Sequence, residues 1–475
     1  MTTALHSVSR SIPVTLTTLE YDRLEDLAQE ETEHQYDLPE SLCQGPSEFP
    51  GLVIVDNSAI NLYSMGGRGY DYRFLHLAED GDTIVTGSAP CPDFERYVET
   101  VLNLEKLEVE LPCRGEPFEP LAHRVMKDDH LMELLARKAR SAGGFRIRPY
   151  MGCEPVWDLA RSLHHRSRVQ VTVEAPPPRL CERVNDKTWF AVSTPRVLDN
   201  EDSVPRSYQA HSVPALATKV KALTHENGTV CIKLRNSAGS FGNVLIRKPD
   251  VEPLEGRELC AYLLAQLERA RWTEPFPVQV ESWSEKVHSS PSVQLWIPLR
   301  GRGLPIVEGL FEQVLTGELG RFAGARSLSD GSVPTDVLVH EATLLAVFYQ
   351  LLGYYGRCSL DAIVEKTRSG KTRVRWIECN GRWGGTSIPM TLLKRLGVDC
   401  NRQSVAIVHD HQEMSGLPFG RVLESLRPIL FKQGTGIVWL SPTRLEAGEG
   451  FDYVAVGRDL DETTRLCRKV EQLLA

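Results

Sequence analysis

The sequence predicts a mixed α/β and α+β protein, with an α/β domain in front, a two-part α+β region in the middle and a small α+β element at the end. Three observations carry that prediction. Strand-like and helix-like segments alternate between Gly51 and Val173, the pattern of a layered α/β sheet. Two hairpin-like segments follow, one rich in Ser and Gly at 231–248 and one acidic at 357–385. The tail closes on a strand-like run and an amphipathic helix. At 475 residues the chain is too long for one core, since domains usually run to about 100–200 residues.

In chain order, residues 1–48 are polar and acidic, with "QEETEHQ" at 29–35, and read as a loosely attached helix or arm. The α/β domain spans 49–183. Its strands are expected at "GLVIVDN" from Gly51, "TIVTG" at 83–87 and "VQVTV" at 169–173, each bounded by turn-forming residues. Leu131, Met132, Leu134 and Leu135 lie at helical spacing within 128–142. The run "EAPPPRLCERVNDK" at 174–187 reads as a boundary, because consecutive prolines continue neither a helix nor a central strand. A first subdomain is expected over 184–285, a second over 286–415 with a long apolar helix at about 336–353, and an α+β cap over 416–475.

Composition narrows the function. Hydrophobic residues make up 41% and charged residues 25% of the chain, as in globular proteins. A net charge of -9 with no long basic block argues against nucleic acid as a partner. The short basic run His164 to Arg168 reads as solvated surface. Eleven dispersed cysteines without a Cys-x-x-Cys pair read as reduced thiols. Met1 to Glu20 lacks the signature of a secretory signal. The longest apolar stretch, Ala342 to Leu352, is shorter than the roughly 20 residues a membrane span needs. A cytoplasmic protein with no membrane partner is expected, and a homodimer is compatible with the sequence.

The acidic segment "RCSLDAIVEKTRSGKTRVRWIECNGRWGG" is the most informative. Strands are expected over 359–365 and 373–380. A two-residue turn at Ser369-Gly370 would set Asp361 opposite Glu378, with Asn380 on the same face and Ile377 and Cys379 on the other. Two carboxylates and an amide oxygen suit Mg²⁺, which takes one or two carboxylates plus water and phosphate oxygens. "SGKT" at 369–372 is no P-loop, because residue 365 is Glu rather than Gly and the tetrapeptide joins two strands.

The second hairpin places Lys233 on a strand before a loop containing Ser237, Gly239, Ser240, Phe241 and Gly242. Small residues let backbone N–H groups approach an anion, and a lysine adds a compact positive charge. Lys187, in "VNDKTWF", could reach the same phosphates from the other side. In "VQVESWSEK", Glu281 and Trp283 alternate with Val280 and Ser282, as in a strand crossing a cleft. Arg300 and Arg302, in "PLRGRGLP", are candidates for gripping a carboxylate, with a solvated loop as the plainer explanation.

Taken in order, Lys187, Lys233, the loop 239–242, Glu281, Asp361 and the run Glu378-x-Asn380-x-Arg382-x-Gly384-Gly385 resemble the ATP-grasp superfamily of carboxylate–amine ligases over roughly 184–400. More faintly, "NLYSMGGRGYDYRFLHL" at 61–77 and the tail are similar to parts of pheganomycin-type peptide ligases. The resemblance implies a pre-ATP-grasp α/β domain, two α+β subdomains gripping ATP, and a small closing element. It implies Lys187 and Lys233 as nucleotide-binding lysines, residues 239–242 as a mobile phosphate loop, and Glu281 and Trp283 at the adenine hinge. Asp361, Glu378 and Asn380 would be magnesium ligands, and Arg382 would steady the transferred phosphoryl group. Small carboxylate and amine substrates, amino acids or short peptides, are implied as partners. Other chemistries of the superfamily (a kinase, a carboxylase, an acyl-CoA ligase) and a non-catalytic nucleotide-binding protein are the alternatives.

Overall fold

A computed structural model describes residues 16–31, 38, 42–58, 60, 71–113, 115, 119–233, 243–270, 272, 276–328, 331, 333–366, 370–400 and 402–474. Short apolar and β-branched runs form three sheets. The first is parallel and contains β1 (Cys43–Gln44), β2 (Gly51–Ile54), β3 (Thr83–Val85), β4 (Glu108–Glu110), β5 (Gly144–Pro149) and β6 (Gln170–Val173). Their order is β1-β6-β5-β2-β3-β4. Strands β2, β3 and β5 are buried along their whole length, as a parallel sheet covered on both faces requires. Leu52, Ile54, Phe145 and Ile147 pack on one side with Leu135 and Trp157 from the helices Asp129–Ala142 and Glu154–Ser167. Asp128 caps the first of these, accepting from Leu131 N at 3.0 Å, as the spacing of 128–142 predicts.

The second sheet is antiparallel, with β7 (Ser207–Ala210), β8 (Thr229–Lys233), β9 (Val244–Arg247) and β10 (Val278–Ser282) in the order β7-β10-β8-β9. Alternation divides its faces. Val278, Val280, Val230 and Ile232 join the core beneath the helices Val213–Asn227 and Gly256–Arg269. Gln279, Glu281 and Lys233 carry the polar face.

The third sheet has nine strands: β11 (Val287–Ser289), β12 (Pro291–Ile297), β13 (Ile306–Thr316), β14 (Arg321–Ser327), β15 (Gly356–Lys366), β16 (Thr372–Asn380), β17 (Ser404–His409), β18 (Gly436–Ser441) and β19 (Asp452–Gly457). The apolar helix Thr335–Leu351 packs on its inner face with the helix Lys187–Leu198. Strands β17, β19 and β18 extend this sheet beyond β14, so the segment 416–475 adds to it and forms no sheet of its own. Trp439 and Tyr453 of that segment share a core with Val53, Ile84 and Phe94 of the front domain.

Two segments add detail to the sequence reading. The prolines at 176–178 introduce a helix: Pro177 is the N-cap and Pro178 the first residue of Pro178–Asn185, positions where the missing N–H costs nothing. The described helix of the amino-terminal arm packs on the body of the protein. This helix, Thr18–Glu31, buries Leu24 and Ala28 in the core of the third sheet. Arg23 donates to the carbonyls of Arg196 and Val197 at 2.9 and 2.6 Å, closing the end of the helix that begins at Lys187. Among the described residues no helix is long and apolar enough to cross a membrane.

Candidate active site

The acidic hairpin forms with Asp361 facing Glu378 and Ser359 facing Asn380. The route to that pairing differs from the predicted one. Lys366 pairs with Thr372, so the connection runs over 367–371, and a bulge between Asp361 and Ala362 shifts the register by one. The extra residue is Ile377. A bulge re-aims side chains, and here it turns Trp376 into the core while Glu378, two residues on, faces the site. Ile377, expected on the opposite face, lines the cleft instead.

On the other side of β15, β12 sets Ser292 against Asp361 and Gln294 against Ser359. Three adjacent strands therefore present two ranks on one face: Ser292, Asp361 and Glu378, then Gln294, Ser359 and Asn380. All six side chains line one cavity of ≈ 190 Å³. Ser292 Oγ donates to Asp361 Oδ1 at 2.6 Å and accepts from Gln294 Nε2 at 2.8 Å. Asn380 Nδ2 donates to Asp361 Oδ2 at 2.9 Å, which directs its own amide oxygen elsewhere.

Burial and the neighbouring charge of Glu378 push Asp361 up to about 7. Burial would also raise Glu378, but Lys187, Lys233 and Arg382 hold it below the usual range. A crowded carboxylate pair with an amide beside it fits a divalent cation. Two carboxylates and one amide would leave such an ion to draw its other ligands from phosphates and water, as Mg²⁺ does.

The lysines meet this hairpin from two directions. Lys187 opens its helix behind the cap Asp186, which accepts from Thr188 N at 2.8 Å. Lys187 Nζ lies 3.1 Å from Glu378 Oε2. Lys233 ends β8, buried, with Nζ 2.6 Å from Glu281 Oε1. Burial alone would lower its pKa, but Glu281 raises it above the ordinary value. Glu281, expected at an adenine hinge, is thus the counter-ion of Lys233 and also accepts from Gln279 Nε2 at 3.2 Å. Lys187, Lys233, Glu281, Trp283, Asp361 and Glu378 line a second cavity of ≈ 370 Å³ between the second and third sheets. Ser237, Gly239, Ser240, Phe241 and Gly242 lie outside the described residues.

Arg382 Nη1 donates to Asn185 Oδ1 at 2.7 Å, and Gly381 N donates to the same oxygen at 3.1 Å. A Cβ on Gly381 would come 2.4 Å from Val184 Cγ2, so only glycine lets the helix Pro178–Asn185 close over this end of the hairpin. Arg300 and Arg302 line neither cavity, and Arg300 pairs with Glu25 at 2.5 Å on the surface.

Several lining residues were not singled out by sequence. Asn57, Arg73 and Tyr150 come from the front domain, and Arg321, His409 and His411 from β14, β17 and the turn after it. Ser292 and Gln294 did carry a signal, because they alternate with the apolar Val293 and Leu295 in "SVQLWIP". Arg73 pairs with Asp452 at 2.7 Å, and His409 Nδ1 lies 2.9 Å from the same carboxylate. Burial, then Arg73, lowers His409 to about 4.

Residues 71–164 match the family model described as the pre ATP-grasp domain. No curated protein sequence matches the chain. Among solved structures, an N5-carboxyaminoimidazole ribonucleotide synthetase is 12% identical, with 89% of this chain and 97% of that chain covered and a TM-score of 0.54. The corresponding enzyme of Thermus thermophilus gives 16%, 89%, 98% and 0.52. The biotin carboxylase of Campylobacter jejuni gives 11%, 89%, 91% and 0.53. At these identities the likeness is one of fold, and it spans nearly the whole of each relative. Residues 71–164 are thus similar to the pre ATP-grasp domain, and the chain as a whole has the ATP-grasp fold.

Proposed function

We propose that the protein is an ADP-forming carboxylate–amine ligase that uses Mg-ATP to activate a small carboxylate as an acyl phosphate. The observation that carries this reading is the junction of the two cavities at one pair of acids. Asp361 and Glu378 line both the cleft that holds Lys187 and Lys233 and the cavity that reaches the front domain. A group transferred from a nucleotide in the first would arrive at the second.

The fold relatives support the nucleotide assignment, since one is described as an ADP complex and another as a complex with β-γ-ATP. Magnesium held by Asp361, Glu378 and Asn380 would supply positive charge to the β- and γ-phosphate oxygens. Lys233 and Lys187 add cations from the facing sheet and helix. A substrate carboxylate oxygen attacks the γ-phosphorus, and ADP leaves with the bonding pair. The amine nitrogen then attacks the acyl carbon; the C–O bond to phosphate breaks, and the departing phosphate takes up the amine proton. Arg382, with Nη1 fixed on Asn185, would supply a guanidinium to steady these oxygens. Amino acids or short peptides, in a cytoplasmic setting, are the proposed substrates.

The experiment is ADP release by the full chain with Mg-ATP and pooled amino acids, with bicarbonate as a separate arm and Glu378→Gln as the control. Release that needs both a carboxylate and an amine and falls about 100-fold or more in the control is expected. Release that continues in Glu378→Gln would remove the metal assignment. Release with bicarbonate alone would make the protein a carboxylase.

A further inference from the structure

The short segment 185–187 meets the acidic hairpin at two points. Lys187 Nζ lies 3.1 Å from Glu378 Oε2, and Asn185, two residues earlier, bonds Gly381 and Arg382. Asn185 is the last residue of the helix Pro178–Asn185, and Asp186 caps the helix that begins at Lys187. One tight turn between two helices therefore sets the spacing of a lysine and an arginine along the run from Glu378 to Arg382.

Four groups fix the orientation of the Asn185 amide. Its oxygen accepts from Arg382 Nη1 at 2.7 Å and from Gly381 N at 3.1 Å. Its nitrogen donates to Cys181 O at 2.7 Å and to Gly381 O at 3.4 Å. Turning the amide over would set donor against donor and acceptor against acceptor at all four. One end of the side chain thus bonds a carbonyl one turn back on its own helix. The other end holds the guanidinium.

The main chain around Arg382 is pinned as well. Arg382 N donates to Asn380 O at 2.9 Å, and Trp383 N donates to Tyr150 O of the front domain at 3.1 Å. With main chain and Nη1 both held, the guanidinium is fixed where it lines the cavity. The atom that holds it is a neutral amide oxygen. A carboxylate there would make a stronger pair, but it would also neutralise the charge that a transferred phosphoryl group needs.

We propose that Asn185 is a positioning residue for phosphoryl transfer: it aims Arg382 and, being uncharged, leaves the full guanidinium charge to act on the transferred group. The proposal rests on the ligase reading, in which Arg382 steadies that group. A residue that only closed its helix would affect stability and leave the transfer step alone. A residue that aims Arg382 affects the transfer step and leaves nucleotide binding alone, because Lys187 and its helix stay in place.

The test uses the full chain and two readouts. Turnover is ADP release with Mg-ATP and pooled amino acids, with hydroxylamine in a separate arm to trap acyl phosphate. Binding of orthovanadate, a mimic of the transferred phosphoryl group, is titrated calorimetrically at saturating Mg-ADP. The central variant is Asn185→Ser, whose hydroxyl can still bond the carbonyl of Cys181 but is too short to hold Arg382. It should lower kcat about 10- to 100-fold and weaken vanadate about tenfold or more, with the KM for ATP and the affinity for Mg-ADP within about twofold of the wild type. Asn185→Asp keeps the oxygen that Arg382 bonds and should lose vanadate binding to a similar extent, because its charge opposes the anion. In an Arg382→Met background, Asn185→Ser should add less than about twofold, since it acts through that side chain. Wild-type release with unchanged kcat and vanadate affinity in Asn185→Ser overturns this inference and leaves the ligase standing. An Asn185→Asp variant as active as the wild type also overturns it. No release by the wild type in any arm, hydroxylamine included, overturns the ligase reading and this inference with it.

Discussion

Asp361 and Glu378 stand opposite one another across β15 and β16, while the next pair along, Ala362 and Trp376, is one residue out of step. The bulge at Ile377 reconciles two demands that a regular ladder sets against each other. Trp376 is fully buried and gives Nε1 to Glu341 at 2.7 Å, yet Glu378 must face the cleft. In an unbroken strand residues two apart share a face.

Deleting Ile377 makes Trp376 and Glu378 neighbours, and a regular strand sends neighbours to opposite faces, here the core and the cleft. The deletion variant should therefore stay folded with Trp376 buried and keep ADP release. Activity together with a thermal melt reads both. A deletion variant that unfolds, or that loses ADP release, would contradict the role given to the bulge.

Asp361→Asn removes a charge that burial and Glu378 both disfavour. Without metal the variant should melt about 1 °C higher, corresponding to roughly 1 kcal/mol in a chain of this size. It should also lose any rise in melting temperature on adding MgCl₂ with ADP, which the wild type should show. Differential scanning fluorimetry reads both shifts.

Acid should weaken the fold through His409 and Asp452. His409 is held neutral to about 4 by burial and Arg73, and its unfolded form takes a proton near its ordinary value of 6.5. The unfolded state thus binds the extra proton first, so stability falls as pH drops from about 6.5 toward 4, by on the order of 2–3 kcal/mol. Asp452 is held well below the usual carboxylate range: burial alone would raise it, but Arg73, His409 and Arg444 outweigh that effect. Its stabilising contribution is therefore lost only in stronger acid. Urea denaturation at pH 7 and pH 4.5 measures the loss, and His409→Gln should flatten it.

Gly381→Ala puts a methyl group 2.4 Å from Val184 Cγ2 and 2.9 Å from Asn185 Nδ2. The helix Pro178–Asn185 must then lift, at a cost of about 1–3 kcal/mol. Because Asn185 anchors Arg382 and the next helix begins with Lys187, nucleotide binding should weaken along with stability. Calorimetric titration with Mg-ADP would show whether it does.

Arg23→Ala removes two hydrogen bonds to the last carbonyls of the helix that starts at Lys187. A loss of about 1 kcal/mol is expected, with a smaller rise in the KM for ATP. An unchanged melting temperature would mean that the amino-terminal helix is held by Leu24 and Ala28 alone.

The chemistry-bearing hairpin was legible because alternation and opposed carboxylates are local facts of sequence. Its register was reached through two departures that cancel: the connection is longer than the predicted turn, and Ile377 takes up the difference. Ser292 and Gln294 were not singled out, although their polar alternation inside an apolar strand carried the signal. Asn57 and Tyr150 carried none, because their distance from Asp361 in sequence says nothing of it in space; sheet order and domain packing bring them together. The prolines at 176–178 interrupt one element and open the next, since the residue type that stops a helix also suits the first position of another.

Gln313, Leu315, Gly320, Asp361 and Glu378 line both cavities, so the two chambers share a wall. For inhibitor chemistry this contiguity outweighs the shape of either chamber. A nucleotide mimic tethered by a short linker to a small carboxylate could occupy both at once, and the second engagement would be intramolecular. Effective concentrations in the millimolar range or above would then raise affinity by about 10²–10⁴ over either half alone, with selectivity drawn from the chamber that the front domain completes.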